Sequence, residues 1–312
     1  MPVCISCNKA ALEYAGQYQY HSKIFKKLFP QLQELRCTAC GLYQVDHSRI
    51  GMGDLDQYYR ENYRKDANIA KTNINQGYYW TLIARGRALA HLASQYKNPD
   101  QVGRIFELGA GYGLNLVEFG RVFPNAKLLS DDLNYKLSSS EFSRATIQDG
   151  PYDIVLISHV LEHLLYPQRI INKVVENMVD GGLLMIEVPN EGGAFIMQQR
   201  GGCPFHEPHV TFFNRDTLLT FFEKNFLDLR LLYIGTAGAL IAEEQERRKR
   251  LRSGLRGKVR GFLALYPSLL QMVQNIFDKF TSAAQGAHAI ELPDFGRNES
   301  RLYLRLVLQK RK

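Results

Sequence analysis

The sequence predicts an α/β protein with a small metal-binding module at its N-terminus and a basic helical insert before its last strand. Three observations predict this organisation. Apolar strand segments alternate with helical segments from Gly103 onward, four cysteines near the N-terminus form two Cys-x2-Cys pairs, and a run rich in lysine and arginine separates the last two strand segments. Alternation of this kind is typical of a parallel sheet that helices cover on both faces.

Chain length and charge limit the classes of protein. A chain of 312 residues is long enough for one domain of roughly 200 residues with accessory segments. The 39 lysines and arginines exceed the 31 acidic residues and leave a net charge of +8, which favours anionic partners without singling out nucleic acid. The N-terminus lacks the pattern of a signal peptide, and no apolar run reaches about 18 residues. We therefore expect a cytoplasmic protein.

The cysteine pairs predict a structural zinc site. Cys4 and Cys7 form the first pair, and Cys37 and Cys40 form the second. In a reducing compartment such pairs indicate metal before disulfide. Zinc takes four thiolates at the corners of a tetrahedron, and each pair supplies two of them from one tight turn. Because a closed site of four cysteines has no open position for catalysis, we expect a structural zinc ribbon over residues 1–60.

The remaining chain divides into a helical connector, a core and an insert. Apolar residues recur at steps of three and four over residues 61–100, which predicts helices. The core, residues 101–240, holds the predicted strands RIFEL, AKLLS, YDIVLIS, LLMIEVPN and FLDLRLLYIGTAG and the predicted helices LNLVEFGRVF and PQRIINKVVENM. Residues 297–312 supply a final strand. Ligands of such sheets bind at the carboxyl ends of the strands.

The loop after the first core strand predicts a cofactor site. Three glycines stand within five positions there: Gly109, Gly111 and Gly113. Their spacing is one residue tighter than that of a dinucleotide fingerprint, and glycines let the backbone approach a ligand closely. Glu107 can accept from an ammonium group, and Asp131 or Asp132 can accept from both hydroxyls of a ribose. An ammonium group at one end and a ribose at the other describe S-adenosylmethionine.

A tight turn without a ligand is the alternative for the glycines, and a solvated helix N-terminus is the alternative for the two aspartates. The surrounding motifs favour the cofactor. ELGAGYG, DDLN, YDIVLISHVLEHL and DGGLLMIEVPN occur in this order and resemble the class I S-adenosylmethionine-dependent methyltransferases over about residues 100–235. The resemblance implies a Rossmann-like sheet of seven strands.

The same resemblance implies roles for individual residues. Glu107 and the three glycines would hold the methionine part of the cofactor, and Asp132 would hold the ribose. Ser158 and His159 would border the sulfonium. The chain departs from the family between Asp132 and Tyr152, where a fuller helix and strand are usual, so the sequence assigns no adenine contact.

Two groups of histidines are candidates for the acceptor site. SHVLEHL contains His159 and His163, and CPFHEPHVTFF contains His206 and His209. Histidine takes a proton near neutral pH and can serve as a general base. Packing is the alternative role for His163, and a second metal site with Cys203 and His206 is the alternative for His209.

The four cysteines and these histidines also resemble the zinc-binding methyltransferases of nucleotide-linked deoxysugars. That resemblance implies that His163 and His209 flank the sugar, with His209 as the base. Pro208 stands where that family has a glutamate, and the large C-terminal domain of that family has no counterpart in this sequence. An oxygen or nitrogen acceptor is therefore as consistent with the sequence as a carbon acceptor.

The insert, residues 241–296, is basic and then apolar. Lysines and arginines concentrate over residues 247–260, and apolar residues follow up to Phe277. This composition is typical of a helix on an anionic membrane surface. It also fits a lid or a dimerisation helix with a solvated face. Residues 247–277 are thus expected to contact the inner membrane face, the substrate or a second copy of the chain.

The sequence favours S-adenosylmethionine-dependent methyl transfer to a small molecule, with a sugar or glycan precursor as the acceptor. Two alternatives come from other classes. An RNA methyltransferase would use the ribbon and the insert to hold phosphates, and a scaffold would bind the cofactor without turnover. The ribbon is not rich in basic residues, and basic and aromatic residues do not interleave as in a stacking platform. Nucleic acid is therefore not the expected partner.

Overall fold

A computed structural model of the chain describes residues 3–20, 22–63, 76–133, 142–192, 208–240 and 301–312. The predicted insert and two residues of the alternative metal site, Cys203 and His206, lie outside these ranges. The statements below concern the described residues.

The N-terminal module, residues 3–63, is a small antiparallel sheet with two helices. Its elements are β1 (Leu12–Gln17), α1 (Lys23–Leu28), β2 (Gln33–Cys37), β3 (Tyr43–Val45) and α2 (Met52–Glu61). The sheet has the order β1-β2-β3-β9, and its fourth strand, β9 (Thr211–Phe212), comes from much later in the chain. The module is thus joined to the core by strand pairing.

The core is a seven-stranded sheet with the order β10-β11-β8-β7-β4-β5-β6. Its strands are β4 (Arg104–Leu108), β5 (Lys127–Asp131), β6 (Ser143–Arg144), β7 (Tyr152–Ser158), β8 (Met178–Pro189), β10 (Leu229–Leu240) and β11 (Arg301–Lys310). The pairs among β4 to β8 are parallel, and β11 runs antiparallel to both neighbours. This order confirms the seven-stranded sheet that the sequence predicts.

Helices cover both faces of the sheet because its central strands are apolar on both sides. Their bounds are α3 (Gln76–Ser94), α4 (Leu114–Val122), α5 (Pro167–Glu176) and α6 (Arg215–Asn225). Ile105 and Ile154 pack on the face that carries α3 and α4. Phe106 and Val155 pack on the other face, with α5, α6 and part of the N-terminal module. Continuous apolar strands of this kind are expected in parallel sheets.

The predicted elements agree with the structure, with two differences. The strand YDIVLIS has the predicted bounds, whereas β8 begins at Met178, several residues before the predicted LLMIEVPN. The sequence predicts no full strand between Asp132 and Tyr152. The structure has β6 there, a strand of only two residues at the edge of the sheet beside β5. Glu162 and His163 lie in a short 3-10 helix, Leu161–His163.

The N-terminal module contacts the core next to His209. Val45 donates its backbone N–H to the carbonyl of Val210 at 2.8 Å, and Ser6 Oγ donates to the carbonyl of Thr217 at 2.7 Å. The segment that begins at His209 is therefore held by the module. Within the described ranges, none of the helices has the length and apolarity needed to cross a membrane.

Candidate active site

The glycine loop follows β4 and adopts a backbone that favours glycine. Gly109, Gly111 and Gly113 have φ angles of 71°, 56° and 70°, in the left-handed region. A Cβ atom on Gly109 would lie 2.4 Å from Val160 Cγ2, and one on Gly113 would lie 2.4 Å from the Phe142 ring. A Cβ atom on Gly111 would meet nothing within 4 Å. Of the three, Gly111 therefore borders open space.

Glu107 lies at the end of β4 with 1% of its surface exposed. Asn115 Nδ2 donates to its Oε1 at 2.7 Å, while Oε2 has no hydrogen-bond partner in the described part of the chain. Burial raises the pKa of Glu107 to about 8, Asp132 adds to this rise, and Asn115 and Arg85 oppose it. A buried carboxylate oxygen without a donor is rare in folded proteins. It fits the ammonium group of S-adenosylmethionine.

The two acids at the end of β5 both contact the glycine loop, by different atoms. Gly111 donates its N–H to Asp132 Oδ2 at 2.8 Å. Gly109 donates its N–H to the backbone carbonyl of Asp131 at 2.7 Å. Burial raises the pKa of the Asp131 carboxyl. The side chain of Asp132 is thus the one that lies against the loop.

Ser158 and His159 stand at the end of β7, the neighbour of β4. Ser158 is paired with Glu187 of β8. His159 has a φ of 55°, and its Nε2 lies 3.1 Å from Glu187 Oε1. Its ring contacts the Tyr303 ring, with centroids 5.0 Å apart. The predicted cofactor residues therefore meet at the carboxyl ends of adjacent strands.

A buried cluster of charges around Glu187 lies beside His159. Arg85 Nε of α3 is 2.7 Å from Glu187 Oε1, and Arg305 of β11 pairs with Glu187 Oε2. Burial alone would raise the pKa of Glu187, but the two guanidinium groups hold it well below its usual range. The sequence analysis missed this cluster. The signal was one charge within each of two apolar runs: Glu187 in LLMIEVPN and Arg305 in LYLRLVL.

The predicted acceptor histidines lie together with Glu162. Their rings are 4.8 Å apart, and Glu162, His163 and His209 are 1%, 9% and 2% exposed. Glu162 Oε1 lies 3.9 Å from His163 Nε2 and 4.0 Å from His209 Nε2. Val210 donates its N–H to the carbonyl of Glu162 at 3.0 Å, which brings the two segments together. We call these three side chains the Glu162 cluster.

Two residues that were not predicted from the sequence contact the Nδ1 atoms of the two histidines, on the far side of each ring from Glu162. Glu191 Oε2 lies 2.5 Å from His209 Nδ1. Tyr59 Oη of α2 lies 2.7 Å from His163 Nδ1. Burial lowers the pKa of His163 to about 3, although Glu162 opposes the shift. His163 is therefore neutral at pH 7 and is a weak base.

The four predicted zinc ligands also lie together. Their sulfur atoms are all within 4.8 Å of one another. The Cys4 and Cys40 sulfurs are 3.5 Å apart, and the Cys7 and Cys37 sulfurs are 3.6 Å apart. Four thiolates at about 2.3 Å from a tetrahedral zinc ion are about 3.8 Å from one another. These cysteines are free thiols, and the donor set and its spacing fit zinc.

Part of the chain matches a known protein family. Residues 81–230 match a protein-family model described as a methyltransferase domain. This span includes the glycine loop, both aspartates and the Glu162 cluster. No curated protein matches the sequence. The strand order and the glycine loop are compatible with this match to a methyltransferase domain.

Several solved methyltransferase structures are similar to the chain. The plantazolicin methyltransferase BpumL in complex with SAH has a TM-score of 0.48 and 16% identity, over 83% of this chain and 94% of that chain. Phosphoethanolamine N-methyltransferase 2 of Haemonchus contortus in complex with S-adenosyl-L-methionine has a TM-score of 0.46 and 12% identity, over 83% and 60%. Coclaurine N-methyltransferase bound to N-methylheliamine and SAH has a TM-score of 0.44 and 14% identity, over 83% and 86%.

Proposed function

We propose that the chain transfers the methyl group of S-adenosylmethionine to a polar small-molecule acceptor. The observation that carries this proposal is the unpartnered, buried Oε2 of Glu107 beside the open space at Gly111. Glu107 binds the ammonium group, and the loop backbone lies along the methionine part. Asp132 or Asp131 accepts from the ribose hydroxyls, and Ser158 and His159 border the sulfonium.

The acceptor binds at the Glu162 cluster. A lone pair of the acceptor attacks the methyl carbon in line, the bond from carbon to sulfur breaks with its electron pair going to sulfur, and S-adenosylhomocysteine leaves. When no metal ion is bound at the Glu162 cluster, His209 Nε2 takes the acceptor's proton while Glu191 holds Nδ1–H. His163 is less suited to this role because its lowered pKa makes it a poor base. Positioning and the exclusion of water supply the rest of the catalysis.

The acceptor we propose is a sugar or a glycan precursor. The supporting observation is a buried wall of hydrogen-bonding groups, in which Glu191 and Tyr59 orient the two histidines. Such groups suit an acceptor rich in hydroxyls. The basic insert, residues 247–277, is outside the described residues, and its contact with an anionic membrane surface, a second copy of the chain or the substrate stays a prediction.

We infer that the four cysteines bind a structural zinc ion. The closed set of four thiolates leaves no open position for substrate. β3 of this module pairs with β9, which directly follows His209 and Val210. The zinc ion would thus stabilise the element that positions the acceptor site.

Calorimetric titration of the full chain with S-adenosylmethionine tests the function. We expect micromolar binding by the parent protein. Binding should be lost in Gly111→Trp, because the side chain fills the open space and the backbone has a positive φ. It should weaken in Asp132→Ala. Gly53→Trp is the matched control, because a side chain there also meets nothing within 4 Å and Gly53 is an exposed residue of α2, outside the glycine loop. Parent-like binding by Gly111→Trp would overturn the assignment of the site.

A further inference from the structure

We propose that the Glu162 cluster binds a divalent transition-metal cation, at a site separate from the four cysteines. Its ligands are one oxygen of Glu162 and the Nε2 atoms of His163 and His209. The role that we give the ion in catalysis rests on the proposed function, because we place the acceptor at the same cluster. The binding of the ion itself is independent of the methyl donor.

The first observation is the isolation of the Glu162 carboxylate. Glu162 is 1% exposed, and neither Oε1 nor Oε2 has a hydrogen-bond partner among the described residues. A buried carboxylate without donors loses its hydration. The imidazoles of His159, His163 and His209 lie at 3.4, 3.9 and 4.0 Å from Oε1, farther than the usual 2.7–3.2 Å of a hydrogen bond from nitrogen to oxygen. A cation between the carboxylate and the imidazoles would replace the lost hydration.

The second observation is the orientation of the two imidazoles. A carboxylate oxygen accepts, so the contact of His209 Nδ1 with Glu191 Oε2 places the ring proton on Nδ1. Tyr59 Oη lies 2.7 Å from His163 Nδ1 and 3.3 Å from the carbonyl of Pro208, to which it can donate. When Tyr59 donates to that carbonyl, it accepts from His163 Nδ1, and His163 Nε2 carries the lone pair. The Nε2 atoms of both histidines lie on the side of Glu162. Outer partners that fix the tautomer in this way are typical of histidines that bind metal.

The third observation is the spacing of the donor atoms. Ligand atoms at about 2.0–2.2 Å from a tetrahedral ion lie about 3.3–3.6 Å from one another. The distances from Glu162 Oε1 to His163 Nε2 and His209 Nε2 are 3.9 and 4.0 Å, a few tenths of an ångström longer. One donor atom from each of the three residues lies within 4.8 Å of the others. Small side-chain shifts would close the cluster on an ion.

The donor set also indicates the kind of ion. Two imidazole nitrogens and one carboxylate suit zinc, iron(II), cobalt(II) or manganese(II) better than magnesium or calcium. Three protein ligands leave open positions for a water or for an acceptor oxygen. A bound cation lowers the pKa of a coordinated hydroxyl. With the ion bound, His209 is a ligand, and the acceptor's proton leaves to solvent.

Cobalt loading of the full chain tests this proposal. The protein is produced with cobalt as the added transition metal and equilibrated with Co²⁺, and bound cobalt per chain is measured together with the absorption spectrum. Thiolate-to-cobalt charge transfer reports the four-cysteine site alone. The variants are Glu162→Gln and His209→Ala. Glu118→Gln is the matched control, because Glu118 is also buried, at 2% exposed, but pairs with Arg87 and Arg121.

We expect two cobalt ions in the parent and in Glu118→Gln, and one in each cluster variant with the thiolate band unchanged. The thiolate band also shows that the variants are folded. One ion with a thiolate band in the parent, or two ions in both cluster variants, would overturn the proposal. If no sample shows the thiolate band, the four cysteines hold no cobalt. The proposal then requires one cobalt ion in the parent and in Glu118→Gln and none in Glu162→Gln and His209→Ala. Titration of the same samples with S-adenosylmethionine tests the proposed function separately.

Discussion

At the residue scale, we expect the charge state of Glu107 to govern the binding of S-adenosylmethionine in the proposed site. Burial raises its pKa to about 8, so below that pH the carboxyl holds a proton and cannot pair with an ammonium group. We predict that the affinity for S-adenosylmethionine increases from pH 6 to pH 8 and that binding releases a proton. In Glu107→Gln this dependence should disappear, and the affinity at pH 8 should decrease by about 10-fold to 100-fold, the value of a charged hydrogen bond. Calorimetry in two buffers measures both quantities.

The same pKa predicts an effect on stability with the opposite sign. Above its ordinary pKa the carboxyl is ionised in the unfolded chain, while the folded protein keeps the proton up to a pH of about 8. The free energy of unfolding therefore decreases with pH over this interval. Glu107→Gln removes the penalty, so at pH 8 we expect the cofactor-free variant to unfold at the same temperature as the parent or higher. A lower unfolding temperature for Glu107→Gln than for the parent would contradict this prediction, because it would show that the Glu107 carboxyl stabilises the folded protein.

His209 and Glu191 give a second prediction at this scale. His209→Ala should bind S-adenosylmethionine like the parent and lose about 10²-fold to 10⁴-fold in turnover, the usual contribution of a general base. Glu191→Gln keeps the volume but no longer holds Nδ1–H with a charge, so a smaller loss is expected. Formation of S-adenosylhomocysteine with a panel of sugars and nucleotide sugars is the measurement. Normal turnover by His209→Ala would exclude His209 as the base.

At the element scale, the apolar pattern of the chain predicted the core strands, and the loops that follow them were predicted from glycines and acids. The sequence analysis also brought His163 and His209 to one site through motifs on separate segments. It missed Tyr59, which lies on a helix with no motif, and Glu191, which stands one residue beyond the motif DGGLLMIEVPN. Spatial neighbours of this kind depend on how β9 pairs with β3, and no local pattern encodes that pairing.

The Glu187 cluster joins three elements, α3, β8 and β11. Arg305 is 2% exposed, so Glu187→Leu removes the carboxylate with which this buried guanidinium pairs. We predict a loss of about 3–5 kcal/mol in the free energy of unfolding, as for other broken buried pairs. The double variant Glu187→Leu with Arg305→Leu should recover part of this loss, because the Arg305 charge is removed with the carboxylate, while Arg85 keeps its charge at the site. Denaturant unfolding of the singles and the double measures the coupling; additive losses would contradict it.

At the scale of the whole molecule, the N-terminal module and the core both contribute residues to the proposed acceptor site, while the residues of the proposed cofactor site lie within the core. The module supplies Tyr59 from α2 and pairs β3 with the strand after His209. Release of zinc should therefore disturb the two sites unequally. In Cys37→Ser, we predict that the affinity for S-adenosylmethionine changes by less than about threefold, within the additivity error for independent sites.

In Cys37→Ser, we predict that the amides next to the proposed acceptor site lose protection from hydrogen exchange. The amide of Val45, which donates to the carbonyl of Val210, should exchange hydrogen faster, because local opening no longer disrupts a closed metal site. The amide of Val210, which donates to the carbonyl of Glu162, should follow. Cys203→Ser is the matched control, since Cys203 is outside the four-cysteine set. Equal loss of protection in Val45 and in Ile105 of the central strand would show global unfolding. Unchanged protection of both valines would show that zinc does not position His209.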